Sequence, residues 1–116
     1  MVVKSIQEVP AKPVEMEGAE KVRMRLLISE EDGAPNFRMR LFEVEPGGFS
    51  PYHTHNYEHE VLILEGEGEV RGEQGSRPFA RGDVVFVPPN EPHQFVNKGS
   101  GVLKFICLIP IPGKEA

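Results

Sequence analysis

The chain has 116 residues, of which 39% are hydrophobic and 27% charged, a length and composition that suit one hydrophobic core and not two. Its formal net charge of −5, without a basic patch, argues against a phosphate-binding nucleic-acid surface, and its longest apolar runs, VLIL and FICLIPIP, are too short to cross a bilayer. The lone cysteine, Cys107, excludes an internal disulfide, and MVVKSIQEVP lacks the apolar region of a signal peptide, so a cytoplasmic protein is expected.

The 12 glycines and 11 prolines punctuate short hydrophobic runs, which favours strands and tight turns. In KVRMRLLIS, Val22, Met24, Leu26 and Ile28 alternate with Lys21, Arg23 and Arg25, the period of a half-buried strand. FRMRLFEVE (37–45) reads as a second strand stopping at PGG. EVLILEG and EVRGEQG read as a pair, with a turn at Gly72 to Gly75. GDVVFVPPN reads as a short buried strand ended by two prolines, and HQFVN as another. In the last strand, GVLKFICLIP, Leu103, Phe105, Cys107 and Ile109 share one all-apolar face that should point inward. No window carries an amphipathic helix. At least eight short strands in one domain, 1–116, predict an all-β barrel or double-sheet roll. The first 35 residues look loosely attached, suited to the domain edge or to pairing with a second chain.

The segment HTHNYEHE carries His53, His55 and His59; His93 is the fourth and last histidine. Residues two apart on a strand leave the same face roughly 6.5 to 7 Å apart, so His53 and His55 can lean onto one ion. His59 shares their parity, and a bend at NYE could return it to that face. A lone histidine is more often a surface or satisfied core residue, and an H-x-H pair also occurs on plain surface strands. Four neutral imidazoles nonetheless suit Mn, Fe, Co, Ni, Cu or Zn.

The wider spacing resembles the cupin family, whose first motif is G(X)5HXH(X)3,4E(X)6G and whose second is G(X)5PXG(X)2H(X)3N. Gly47, His53, His55 and Gly66 meet the first; Gly82, Pro88, His93 and Asn97 meet the second, so the motifs cover 47–97. Asn90 stands at the inner glycine of the second motif, a position that asparagine can fill because it tolerates left-handed backbone. The glutamate of the first motif falls on His59 or Glu60. The six-residue spacer to Gly66 and the strand parity both select His59, leaving Glu60 in reserve and Glu58 solvated.

This resemblance implies a single cupin barrel, a double-stranded β-helix or jelly roll, holding a metal on His53, His55, His59 and His93. It is similar to small four-histidine cupins, some of which carry manganese. Manganese is the expected ion, iron the next, with nickel, copper or zinc possible. Such a site would attract small anionic or oxygen-rich molecules. The function expected is an oxidoreductase using dioxygen or peroxide. A metal-dependent isomerase or decarboxylase, or a non-catalytic metal- or metabolite-binding cupin, is the alternative. Strand parity offers Arg40, Phe105 and Cys107 as lining of the cup, each also readable as plain core or, for Arg40, as solvated. Tyr52 and Tyr57 receive no role. Small single-barrel cupins commonly pair, so a homodimer is expected, with the strand at 21–29 as the edge that a partner could cover.

Overall fold

The computed structural model describes residues 1–112; the last four residues of the 1–116 domain expected above lie outside them. Nine strands run in chain order: β1 (Lys12–Pro13), β2 (Glu20–Ile28), β3 (Phe37–Phe49), β4 (His59–Glu65), β5 (Glu67–Gly72), β6 (Gly75–Ala80), β7 (Val84–Val87), β8 (Gln94–Asn97) and β9 (Leu103–Pro110). Among the described residues, helical structure is confined to single 3-10 turns at Ile6–Glu8 and Glu30–Asp32, and no helix is long and apolar enough to cross a membrane. The fold is all-β, as the density of turn residues predicts.

The strands pair in the order β6-β5-β8-β3-β9-β4-β7, with β2 joined to β3 and β1 to β2. Strands β6 and β7 stand at opposite ends of this path. Even so, Phe79 of β6 and Val87 of β7 enter the same core as Val61, Ile63, Leu103 and Phe105. The sheet is therefore curled around one interior. Burying large apolar side chains from both ends of the path is what favours the curl, at about 25 cal/mol per Å² removed from water. Along β9, Leu103, Phe105, Cys107 and Ile109 are all buried while the residues between them are half-exposed, which matches the alternation in the sequence.

Close backbone approach dictates one glycine. A Cβ on Gly68 would sit 2.1 Å from the Val96 carbonyl oxygen and 3.0 Å from the Phe79 ring, so β5 can lie against β8 only with glycine there.

Several sequence expectations change. Strand β3 does not stop at PGG; it continues to Phe49, where it reaches Val96 of β8, after pairing Phe37–Val44 with β9. Strands β4 and β5 are not partners. Gly72 and Gly75 do flank a hairpin turn, but it joins β5 to β6, a strand whose Pro78 hid it from view. Proline is tolerated there because β6 is an edge strand. Strand β7 is an edge as well, and Val84 and Phe86 are exposed rather than buried.

The alternation in β2 fails at its end, where a register shift between Leu26 and Ile28 buries Leu27 and exposes Leu26. The N-terminal third is also better anchored than its sequence suggests. Arg25 donates to the carbonyls of Ile6 and Val9 (3.2 and 2.6 Å), and Lys4 pairs with Asp32 at 2.9 Å.

Candidate metal centre

His53 and His55 lie in the connection between β3 and β4 and not within a strand. Two backbone contacts hold that connection in place. His53 and His93 exchange both hydrogen bonds, N to O at 3.1 and 3.0 Å, in an isolated antiparallel bridge. The Asn90 amide donates to the His55 carbonyl at 2.6 Å. Asn90 does so with φ of 68°, the left-handed backbone expected of the residue replacing the motif glycine.

A bend at Asn56 and Tyr57 then returns the chain to His59, the first residue of β4, opposite Val87. His59 is buried and Glu60 is exposed, as strand parity requires. The neighbouring Glu60 carboxyl, followed by desolvation, raises the Glu58 carboxyl above its usual value.

The four rings converge. His53, His55 and His93 each bring one ring nitrogen to within 4.8 Å of the others. His59 stands against this trio, its ring centroid 4.7 Å from His93 and 5.2 Å from His55. Nδ1 of His93 lies 2.9 Å from the Glu91 carbonyl, so it carries the proton and Nε2 keeps the lone pair. Nδ1 of His59 lies 3.3 Å from the Cys107 sulfur, while its Nε2 is buried with no hydrogen-bond partner. Nδ1 of His53 is likewise buried and unpartnered.

Buried donors or acceptors without partners are costly, at about 1 to 3 kcal/mol each. A divalent cation coordinated by these nitrogens would satisfy them, and an all-imidazole donor set suits a first-row transition metal. The residues therefore fit a metal.

The surroundings keep the rings neutral. Burial, then the neighbouring rings and Arg40, pushes His53 down to about 4 and His59 down to about 3. His55 and His93 are also lowered, chiefly by burial. Neutral imidazole is the form that binds metal.

Of the candidate cup residues, Cys107 touches His59, Arg40 touches Cys107, and Phe105 reaches the rings only through Phe95. The Nη2 of Arg40 donates to the Cys107 sulfur at 3.1 Å, and its guanidinium lies 4.9 Å from the centre of the Phe42 ring. Burial raises the Cys107 thiol above its usual value although Arg40 opposes the shift. Phe105 stacks between Phe42 (5.3 Å) and Phe95 (4.9 Å), an apolar wall that ends 6.3 Å from His93. Sequence reasoning missed Tyr57, whose ring stacks on His55 at 4.7 Å and 5°. Parity carries no information in a bend, so no signal pointed there. A cleft of about 830 Å³ between the β5–β6 hairpin and β7 reaches the site at His93.

The comparisons agree with this geometry. The chain is 34% identical over 114 residues to the oxalate-binding protein of Thermotoga maritima, covering 94% of this chain and 93% of that one. It is 31% identical over 100 residues to 1-methylthio-D-xylulose 5-phosphate methylsulfurylase of Rhodospirillum rubrum, covering 72% of this chain but only 64% of that protein. Among solved structures, the polyketide cyclase RemF of Streptomyces resistomycificus superposes with a TM-score of 0.90 at 35% identity, covering 95% of this chain and 79% of that one. Residues 40–109 match the family described as Cupin domain, and the chain belongs to that family.

Proposed function

We propose that this cupin is a metal-dependent enzyme acting on a small, oxygen-rich organic molecule, with the ion held by His53, His55, His59 and His93. The observation that carries this reading is the convergence of four neutral rings with two buried, unpartnered nitrogens, His53 Nδ1 and His59 Nε2. When bound, the ion supplies a Lewis acid that polarises a substrate oxygen. The protein's own groups do the rest. The Glu91 carbonyl fixes the His93 tautomer, the Cys107 sulfur orients His59, and the wall of Phe42, Phe95 and Phe105 excludes water.

Polarisation of a carbonyl or carboxylate, as in an isomerase, lyase or cyclase, is the first reading of the reaction. The three relatives are named for oxalate, a sugar phosphate and a polyketide, and all of these are rich in such oxygens. Cys107 supports it too, because a thiol 3.3 Å from His59 is exposed to oxidation where dioxygen or peroxide is activated. The oxidoreductase expected from sequence is the second reading. A cupin that binds without catalysis is the third.

Manganese is proposed as the working ion and iron as the next. Nickel, copper and zinc are ions that the same nitrogens accept, at least as tightly by the Irving–Williams order. A cytoplasmic homodimer completes the proposal, using the edge of β2 that the two-residue β1 covers only at Arg23 and Met24.

The test is metal analysis of protein purified without a tag, followed by titration of azide or acetate into the metal-loaded form. One ion per chain and a perturbed metal spectrum are expected. Metal-free protein that takes up no ion would refute the site, and an unresponsive spectrum would show it closed. Oxygen or peroxide consumption tied to turnover would select the oxidoreductase. Light scattering that gave a monomer of 13.0 kDa would remove the dimer.

A further inference from the structure

Arg40 differs from the other arginines of its neighbourhood. Arg23 and Arg25 face Glu43, each at 3.7 Å, and Arg38 grips Glu30 at 2.6 Å. Among the described residues Arg40 has no carboxylate within ion-pairing distance. Its hydrogen bond to the Cys107 sulfur is to a weak acceptor, and its Nε is buried with no partner. A half-buried cation that is not neutralised is expensive, so its place needs a reason.

The position of the charge supplies one. Arg40 sits opposite Cys107 in the β3–β9 ladder, and one sulfur atom separates its guanidinium from His59. The guanidinium also lies over the ring of Phe42, at 4.9 Å from its centre. Four neutral ligands add no negative charge, so the cup combines a fixed cation with a donor set for a second cation. Such a site is complementary to an anion with more than one oxygen donor.

We infer that Arg40 is the specificity-determining residue of the cup, anchoring the carboxylate of a short organic acid that carries a further oxygen donor on the adjacent carbon. The class comprises 2-oxo acids, 2-hydroxy acids and small dicarboxylates. The placement of the second donor at the histidines rests on the metal reading above; the anchoring of the carboxylate by Arg40 does not.

The experiment uses pyruvate and its uncharged methyl ester, methyl pyruvate, titrated calorimetrically into the metal-free and manganese-loaded protein. The wild type should prefer pyruvate by at least about tenfold, the range of a charge-assisted hydrogen bond. Arg40→Met, which keeps an apolar stem over Phe42, should reduce that preference to about twofold or less. Arg40→Lys should recover part of the preference, and Arg40→Gln provides a second neutral variant. Equal affinities for the two probes in the wild type, or undiminished preference in both neutral variants, would overturn the anchor. Failure to bind manganese would instead refute the metal reading. The preference measured in the metal-free protein then decides the anchor separately.

Discussion

Nδ1 of His59 and Sγ of Cys107 meet at 3.3 Å between β4 and β9. The contact engages Nδ1 of the ring and leaves its buried Nε2 without a partner. It joins the core to the site, because Cys107 belongs to the inward face of β9 with Phe105 and Ile109.

Cys107→Ala should therefore lower metal affinity about tenfold, the lower range for loss of a group that orients a ligand, and destabilise the fold by about 1 to 2 kcal/mol. Cys107→Ser keeps a polar partner and should stay within about threefold of wild type in affinity, by the same reasoning. Chelator competition reads the first quantity and urea denaturation the second. Unchanged affinity in Cys107→Ala would show that the sulfur does not orient the ring.

His59 itself separates the two possible ligand sets. His59→Ala removes one nitrogen, and affinity should fall by more than about tenfold. His59→Glu restores the carboxylate of the first cupin motif and reduces the site's positive charge by one. It should retain one ion per chain with an altered metal spectrum. If His59→Ala binds metal as tightly as wild type, the trio of His53, His55 and His93 holds the ion without it.

The parts of the fold legible in the sequence were those set by alternation over a long strand. The inward face of β9 and the parity separating His59 from Glu60 are examples. Legibility ended where tertiary context overrides local pattern. Pro78 disguised β6, since a proline reads as a breaker until the strand is known to be an edge. The exposure of Val84 and Phe86 depends on which strand lies at the sheet's end, a fact carried by no window of sequence. Motif spacing pointed to the four histidines, yet Tyr57 stacked on His55 lay in a bend where neither parity nor motif speaks.

Stability of the metal-free protein should depend on pH through these same rings. The folded state holds His53 near 4 and His59 near 3, and lowers His55 and His93 too, whereas an unfolded histidine titrates near 6.5. As pH falls below about 6.5 the unfolded chain takes up protons that the folded chain refuses. Stability is thus full above that pH and declines progressively toward pH 4 and below. In the window from about 6.5 to 5 the histidines set the trend: the salt-bridged carboxylates Glu30 and Asp32, held below their usual values by Arg38 and Lys4, lose their contribution only at lower pH, and the raised Glu58 carboxyl acts in the opposite sense. Urea midpoints measured at pH 7.5, 6 and 5 should decrease in that order; a flat profile would mean that the rings are solvated.

Asn97 closes the second motif, and its role here is structural. It is buried, its Nδ2 donates to the carbonyls of Val44 (2.8 Å) and Gly101 (2.9 Å), and its Oδ1 accepts from the Gly99 amide at 2.8 Å. One side chain thereby ties β3 to β8 and shapes the turn into β9. Asn97→Asp replaces two donated protons with an acceptor, setting a carboxylate against two carbonyl oxygens. Two lost hydrogen bonds and a buried charge should cost about 3 to 5 kcal/mol at neutral pH, and less at pH 4, where protonation restores one donor. Asn97→Ala, which adds no charge, should cost about 2 to 3 kcal/mol. Metal content of whatever fraction folds should stay at the wild-type ratio in both variants. Urea denaturation with parallel metal analysis checks the pair: a variant that kept its stability but lost its ion would place Asn97 in the site and not in the frame that supports it.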